Sequence, residues 1–558
     1  MLSPIPGDFK ILVCDRVGAQ IVNTCMRMHD LMDHGITLVE DLYMVRQPVI
    51  SSPAIYLIAP DPESVQRVIE DWAARSTYKE AHVFFTGASN EALLHAFAMA
   101  PPRVAAHIFT LKDMLMDFSV PEPLLFHMNL TGDLMKLFPP EIALSGGREN
   151  ILGQVGRRLV SVFVTIGCGV PVVRYQATSR LAQQVARNFY DDIAKLSREL
   201  PDMKIGTADA NTPLLIIVDR SYDAAEAVAH HRNYQALLQD LLPLREGFLY
   251  EHTFDSRGGE NKTRLCPVDE QDPYWCQYRH ANINVCLEAF PRLLKELVAA
   301  NPNLVQGMSK DMNLNDVGSA IRALPEFQEK QGRLSMHVDI LTRLMELYNT
   351  QKLATVCELE MDMAAERRPF KELFELVRQS VADASIPVPV RLRLLLRFIA
   401  SSDTREFSEA KRQLLVQESG LANEASRCSN MNMFCVRTGH LKPEKAADPR
   451  SPGSPTESKG NVLTNLGRRT LRSKTYNSAA SNVSMGSDQG RLVEDTADVN
   501  QAALILEAAA QGSLSMTDFP SLNAAMSDLA YGGGGGADGP RNRQSLRMGL
   551  ARMRTGTS

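Results

Sequence analysis

The chain has 558 residues, 44% of them hydrophobic, and a formal net charge of −5 from 60 Lys+Arg against 65 Asp+Glu. At about 150 residues per domain that is enough for three or four units with packed cores, and the acidic balance excludes a basic nucleic-acid-binding domain as the default reading. No basic n-region with an apolar h-region opens the chain, no apolar stretch reaches the ~20 residues of a bilayer span, and nine scattered cysteines without a CxxC spacing fit reduced cytosolic thiols rather than a disulfide or zinc framework.

The first 120 residues alternate short apolar runs with helical patterns. Ile11-Leu12-Val13-Cys14, Ile36-Thr37-Leu38-Val39, Ile55-Tyr56-Leu57-Ile58, His82-Val83-Phe84-Phe85 and His107-Ile108-Phe109 have the length and content of strands buried on both faces. Ile21, Cys25, Met28 and Met32 recur at spacings 4, 3 and 4, which predicts one helix with these residues on its core face. A helix from Ser64 to Trp72 follows, with Ser64 as its N-cap. Strand–helix–strand order predicts a parallel α/β sheet.

A second unit is predicted from about Leu124, with a strand at 124–128, helices at Glu149–Ile166 and Ser179–Leu200, and a fully buried strand at Leu214–Val218. A long helix spans Asp272–Asn301. Residues 302–435 carry helical runs at 312–324, 326–353, 370–384 and 388–401. Pro325 predicts a break between the first two of these, because proline removes a helical donor and clashes with the preceding turn. After Cys435 the chain turns to Ser, Pro, Asn, Lys and Arg, a composition that predicts disorder over 436–490. A short helix is expected at Ala502–Gln511, and a flexible glycine run at Gly532–Gly536. Residues 441–558 hold 14 basic and 11 acidic side chains, net +3, so residues 1–440 carry −8.

No phosphate loop, dinucleotide-binding glycine motif, nucleophile elbow, HExxH or EF-hand pattern occurs. Asp15 and Asp219 follow predicted strands, the position at which α/β enzymes place catalytic groups. The alternative for each is local: capping the next element or pairing with a basic side chain. His230 and His231 are adjacent and lack a third ligand at metal-binding spacing. Cys266, Cys276 and Cys286 read as buried thiols.

The segment Leu215-Ile216-Ile217-Val218-Asp219-Arg220-Ser221-Tyr222-Asp223, with His230, Tyr234-Gln235-Ala236-Leu237 and Asp240-Leu241-Leu242-Pro243, resembles the signature of the SM family, the Sec/Munc-type syntaxin-binding proteins of vesicle fusion. Asp272-Pro273-Tyr274-Trp275 and Arg279-His280 resemble the segment that follows it. Gly35-Ile36-Thr37-Leu38-Val39-Glu40-Asp41 is most similar to the exocytic branch. The resemblance implies an arch-shaped fold, α/β plus α, with two parallel α/β domains (1–123 and 124–243) and a mostly helical domain at 244–435 carrying a hairpin around 313–350. It further implies a non-enzymatic regulator without a cofactor. Such a protein binds a syntaxin-type SNARE in a central cleft, promotes assembly of the SNARE bundle with the vesicle SNARE, and is cytoplasmic, recruited peripherally to plasma membrane or secretory vesicles.

By resemblance the cleft face includes Arg27 and Glu40, and an outer pocket for the syntaxin N-terminal peptide includes Leu94, Ile108 and Asp113. The hairpin hinge includes Pro325, and His337 and Val338 face the vesicle SNARE. Family members return to the second domain after the helical one and close its sheet. No strand pattern in 436–558 supplies that return, so an unclosed edge is expected. The readings kept beside this one are an α/β enzyme using Asp15 or Asp219, and a divergent inactive paralogue.

Overall fold

A computed structural model describes residues 5, 9–73, 76–128, 130, 137, 146–167, 170–199, 212–245, 248–255, 261–301, 314–439, 441 and 501–523. The glycine run, the arginine-rich end and the predicted disorder beyond Leu441 lie outside them. The described residues form two compact units, one of residues up to 219 with 514–523, the other of residues 220–513. Among them no helix is long and apolar enough to cross a membrane.

The first unit is built on five parallel strands: β1 (Lys10–Cys14), β2 (Ile36–Asp41), β3 (Ala54–Ile58), β4 (Ala81–Phe85) and β5 (Ile108–Asp113), in the order β2-β1-β3-β4-β5. Every residue of β1, β3 and β4 is buried, as the apolar runs predict. The same prediction fails for β2 and β5. These are the two edges, and beyond its first residue β2 is mostly exposed, as is β5. Helices α1 (Arg16–Cys25), α2 (Met28–Asp33), α3 (Pro62–Ala73), α4 (Glu91–Ala98) and α5 (Pro102–His107) link the strands.

The single helix predicted across Ile21–Met32 is two. Met26 and Arg27 are extended, and Asp30 Oδ2 accepts the Arg27 N–H at 2.7 Å, so α2 restarts with its own cap. Cys25, Met28 and Met32 consequently lie exposed rather than on a core face, while Met26 packs inward.

Asp15 fastens the β1–α1 turn to the β3–α3 turn. Its Oδ1 accepts the Gly18 N–H at 2.7 Å, and its Oδ2 accepts the Ala59 N–H at 2.6 Å and the Ser64 hydroxyl at 3.0 Å. Gly18 is required there, because a Cβ would stand 2.2 Å from the Leu57 carbonyl oxygen.

Beyond the sheet, β6 (Ser119–Glu122) and β7 (Leu125–His127) form an antiparallel hairpin, β6 half-buried and β7 exposed, where one strand over 124–128 was predicted. Helices α6 (Gly146–Ile166) and α7 (Arg180–Glu199) pack closely at Gly156, where a Cβ would stand 2.9 Å from Asn188 Cβ. The parallel pair β8 (Val172–Tyr175) and β9 (Leu214–Ile217) follows, with β9 half-buried rather than fully buried.

The expected unclosed edge is corrected by residues 514–523, which return to β8. Leu522 N–H donates to Val173 O at 2.9 Å, and Tyr175 N–H donates to Pro520 O at 3.3 Å. The Asn523 amide receives Val173 N–H and donates to Pro171 O, both at 3.0 Å. The buried Arg174 guanidinium donates to the carbonyls of Phe519 (2.8 Å), Leu514 (3.1 Å) and Ser515 (2.8 Å). Side chains satisfy most of this backbone, so no alternating pattern announces it.

The second unit holds α8 (Tyr234–Leu241), the antiparallel hairpin β10 (Leu249–Asp255) and β11 (Asn261–Pro267), and α9 (Pro273–Tyr278) through α16. The long helix predicted from Asp272 is two, α9 and α10 (Ile283–Ala300), each with its own asparagine or aspartate cap. Helix α11 runs unbroken over Leu314–Thr350, through Pro325. Next come α12 (Leu353–Ala364), α13 (Phe370–Ala382), α14 (Val388–Ser401), α15 (Glu409–Glu418) and α16 (Ala425–Arg437), packed around Phe398 and Phe407, and α17 (Gln501–Ala510) near the predicted place.

Arg174→Met should leave three carbonyls without their donor and cost about 3–5 kcal/mol, at roughly 1.5–3 kcal/mol for hydrogen bonds from a charged group with partial compensation by water. The urea midpoint of the full chain measures it, and a shift under 1 kcal/mol (roughly the worth of an ordinary hydrogen bond) would deny the closure its anchor.

Candidate functional site

Helix α2 packs on the edge strand β2, and the two leave apolar side chains in solvent: Met28 and Met32 one turn apart, then Leu38 and Val39, 42% and 40% exposed. Exposed apolar groups on an unpaired strand invite a partner. Arg27 stands exposed at the start of α2. Its exposure comes from the break between α1 and α2, not from its position around one helix. Glu40, partly buried on β2, is no freely solvated charge: the buried Tyr78 hydroxyl donates to its Oε2. Burial, then this hydrogen bond, pushes the Tyr78 hydroxyl up. Behind it, Arg46 pairs with Asp71 at 2.8 Å, and Asp71 accepts from the Tyr56 hydroxyl at 3.0 Å. Glu40 is therefore held by the core at the rim of the α2–β2 face.

Leu94, Ile108 and Asp113 are spread along β5 and α4. Ile108 begins β5 and Asp113 ends it, about 16 Å apart at ~3.3 Å per residue. Leu94 is exposed on α4. Asp113 is already engaged, accepting Ser89 N–H at 3.1 Å and Ser89 Oγ–H at 3.2 Å.

In the second unit, Pro325 is exposed within continuous α11, correcting the predicted break. The proline denies Ile321 its carbonyl partner, but packing of Phe327, Leu334 and Ile340 begins just after it and carries the helix onward. His337 is corrected as well. It is fully buried and cannot face a partner: Nε2 donates to Asp272 Oδ2 at 3.2 Å, Nδ1 lies 2.8 Å from the Tyr234 hydroxyl, and the ring stacks on Phe290 at 4.7 Å. Val338, the next residue, lines an apolar groove of about 380 Å³ between α10 and α11, with Leu287, Pro291, Leu341 and Met345.

The residues that suggested an enzyme have structural duties. All the Asp15 contacts above are to neighbouring turns, and Asp219 accepts from Ser179 Oγ while its own N–H donates to Gln176 Oε1 at 3.2 Å. His230 is buried with Nδ1 donating to Glu360 Oε1 at 2.8 Å, whereas His231 lies 3.5 Å from Glu226. Cys286 is buried, but Cys266 and Cys276 are only partly so. The β2 apolar surface and the Glu40–Tyr78 bond were not predicted. Periodicity does not distinguish an edge strand from a central one, and the tyrosine partner is 38 residues away.

Comparison with known proteins gives a match to the Sec1 family over residues 10–542. The chain is 27% identical over 459 residues to the probable protein transport Sec1a of Oryza sativa subsp. japonica, covering 79% of this chain and 67% of that protein. It is 27% identical over 446 residues to the SNARE-interacting protein KEULE of Arabidopsis thaliana, covering 77% and 65%. The chain thus spans about two thirds of the length of these relatives. Among solved structures, Unc18 in the Unc18–syntaxin 1 complex from Monosiga brevicollis superposes with a TM-score of 0.72 at 21% identity, covering 93% of this chain and 86% of that one. Vps45 in complex with the Qa SNARE Tlg2 gives 0.69 at 18% identity, covering 93% and 85%. These likenesses show a shared fold.

Burial pushes the Asp272 carboxyl up, but His337 and the N–H groups of Trp275 and Tyr274 outweigh it and hold the carboxyl below its ordinary value. A lowered folded-state value stabilises the protein above the unfolded value, about 3.9, and that stabilisation disappears as pH falls through the folded value. His337→Phe should lower stability at pH 7 by about 1–3 kcal/mol and flatten the acid-side loss. Urea midpoints between neutral pH and the acid limb measure both, and an unchanged acid limb would remove His337 as the cause.

Proposed function

The chain belongs to the Sec1 family, and from that premise we propose that it regulates SNARE-mediated vesicle docking and fusion by binding a syntaxin-type helical bundle, without catalysis. The observation that carries this reading is the α2–β2 face: exposed Met28, Met32, Leu38 and Val39 between Arg27 and the core-anchored Glu40. Apolar anchors within a charged rim are the composition of a protein-binding surface. Residues 1–123, 124–243 and 244–435 are the proposed domains, with Leu94, Ile108 and Asp113 on β5 and α4 as the N-peptide side. The Val338 groove is proposed to take a helix of the vesicle SNARE, with α11 in its extended form past Pro325. The protein acts in the cytoplasm and reaches plasma membrane or secretory vesicles through its SNARE partners.

The closure of β8 by residues 514–523 removes the motive for an inactive, unclosed paralogue. The bonded states of Asp15 and Asp219 give an enzymatic reading no support.

Capture of a syntaxin-like helical bundle on the full chain tests the proposal. Arg27→Glu and Glu40→Lys should each weaken binding about tenfold or more, since reversing a charge at a close interfacial pair costs about 2–5 kcal/mol. Val338→Asp should spare that binding and weaken capture of a vesicle-SNARE helix. A bundle that binds none of these proteins, or all of them equally, would overturn the assignment.

A further inference from the structure

The first unit also holds a cavity of about 680 Å³ that neither proposed SNARE face uses. Its size is that of small-molecule sites. The floor is made by the turns that follow β1, β3 and β4. The roof is one face of α6, where Asn150, Gln154, Arg157, Arg158 and Ser161 fall at spacings 4, 3, 1 and 3. In the order β2-β1-β3-β4-β5 the crossovers reverse between β1 and β3, and open parallel sheets bind ligands in the crevice outside that point.

Two residues that line this space carry buried polar atoms without a partner. Thr86 is fully buried, and its Oγ1 has no hydrogen-bond partner among the described residues; Asp117 Oδ1 is likewise buried and unpartnered. A buried unpaired acceptor is destabilising, and a ligand hydroxyl would relieve it. Room for the carboxylate is made by Gly87, whose Cβ would stand 2.7 Å from Asp117 Oδ2. That same Oδ2 lies 3.6 Å from Arg158 Nε, and Arg158 also donates to the Met128 carbonyl. Arg157, the neighbouring residue about 100° around the helix, also lines the cavity, and Asp192 is the carboxylate acting on it.

Of the helix N-termini bordering the crevice, those of α1 and α3 hold carboxylates, and that of α4 is taken by the Asn90 side chain, which accepts Leu93 N–H. Asp15 caps α1, and Asp61 Oδ1 accepts Glu63 and Ser64 N–H, each at 3.0 Å, at the start of α3. A phosphate cannot share those positions, so the roof is where an anion is favoured. Guanidiniums suit phosphate oxygens.

We propose that this crevice binds a small sugar phosphate, its phosphate on Arg157 and Arg158 and its hydroxyls on Thr86 Oγ1 and Asp117 Oδ1. The chemistry is shared by a free sugar phosphate and by the ribose phosphate of a nucleotide.

Thermal shift and calorimetry on the full chain, with ribose 5-phosphate, AMP, ribose and inorganic phosphate at millimolar concentration, test it. Ribose 5-phosphate, AMP or both should raise Tm, an advantage for AMP marking a nucleotide site and equal shifts a sugar-phosphate site. Arg157→Gln and Thr86→Val should each weaken that binding about tenfold, while circular dichroism and capture of the helical bundle stay unchanged. Arg157 is exposed, so its variant keeps the fold. No shift with either phosphorylated probe, an equal shift with ribose or inorganic phosphate alone, or binding untouched by both variants would overturn the proposal.

Discussion

The first unit depends on one buried carboxylate. Asp15 ends β1 and receives donors from its own turn, from Ala59 after β3 and from Ser64 inside α3. Burying an ionised group is costly unless donors replace water, and here three do. With its partners spread over two turns, Asp15 locks β1 beside β3 at the point where the strand order reverses. The close approach of Gly18 to Leu57 follows from the same arrangement. So does the outer placement of β2, which has β1 as its strand neighbour and no strand beyond it among the described residues. The α2–β2 face and the crevice under α6 both border elements that this contact positions.

That constraint explains which parts of the fold were legible. The central strands declare themselves because Ile11–Cys14, Ile55–Ile58 and Val83–Phe85 meet helices on both faces and strands on both sides. Ile36–Val39 and Ile108–Phe109 spell the same pattern at the edges, where Ile36 and Ile108 join the core but Leu38, Val39 and Phe109 lie exposed. An apolar run records that a strand is covered, but not whether its own chain covers it. The break at Met26–Arg27 was hidden for a different reason. A cap made by Asp30 on an arginine's N–H outweighed a spacing that fits one helix.

In the second unit, helical runs 370–384 and 388–401 were read almost to the residue, because their apolar stripes face one core around Phe398 and Phe407. Pro325 misled, since the local penalty of proline, about 3 kcal/mol, is smaller than the packing gained by the rest of α11. His337 misled in the opposite sense. The resemblance turns it toward a partner, whereas Tyr234, 103 positions earlier, and Asp272, 65 positions earlier, satisfy both ring nitrogens inside the core. Long-range polar partners leave no local periodicity. The return of 514–523 was invisible for the same reason, its strand pairing being completed by Arg174 and Asn523 rather than by an apolar alternation.

The division between used and unused polar groups bears on what kind of protein this is. Carboxylates at strand ends, which an α/β enzyme would leave poised toward substrate, are here consumed in capping and turn-fastening: Asp15, Asp61 and Asp219 all have donors. Among the described residues, the apolar edge of β2, the groove wall at Val338, the Thr86 hydroxyl and Asp117 Oδ1 have no such duties. The first two have the apolar composition of protein-binding surfaces, and the last two are where the proposed ligand's hydroxyls would sit. Glu40 is tied through Tyr78, Arg46 and Asp71 to Tyr56 on β3, one of the strands whose following turns floor the crevice.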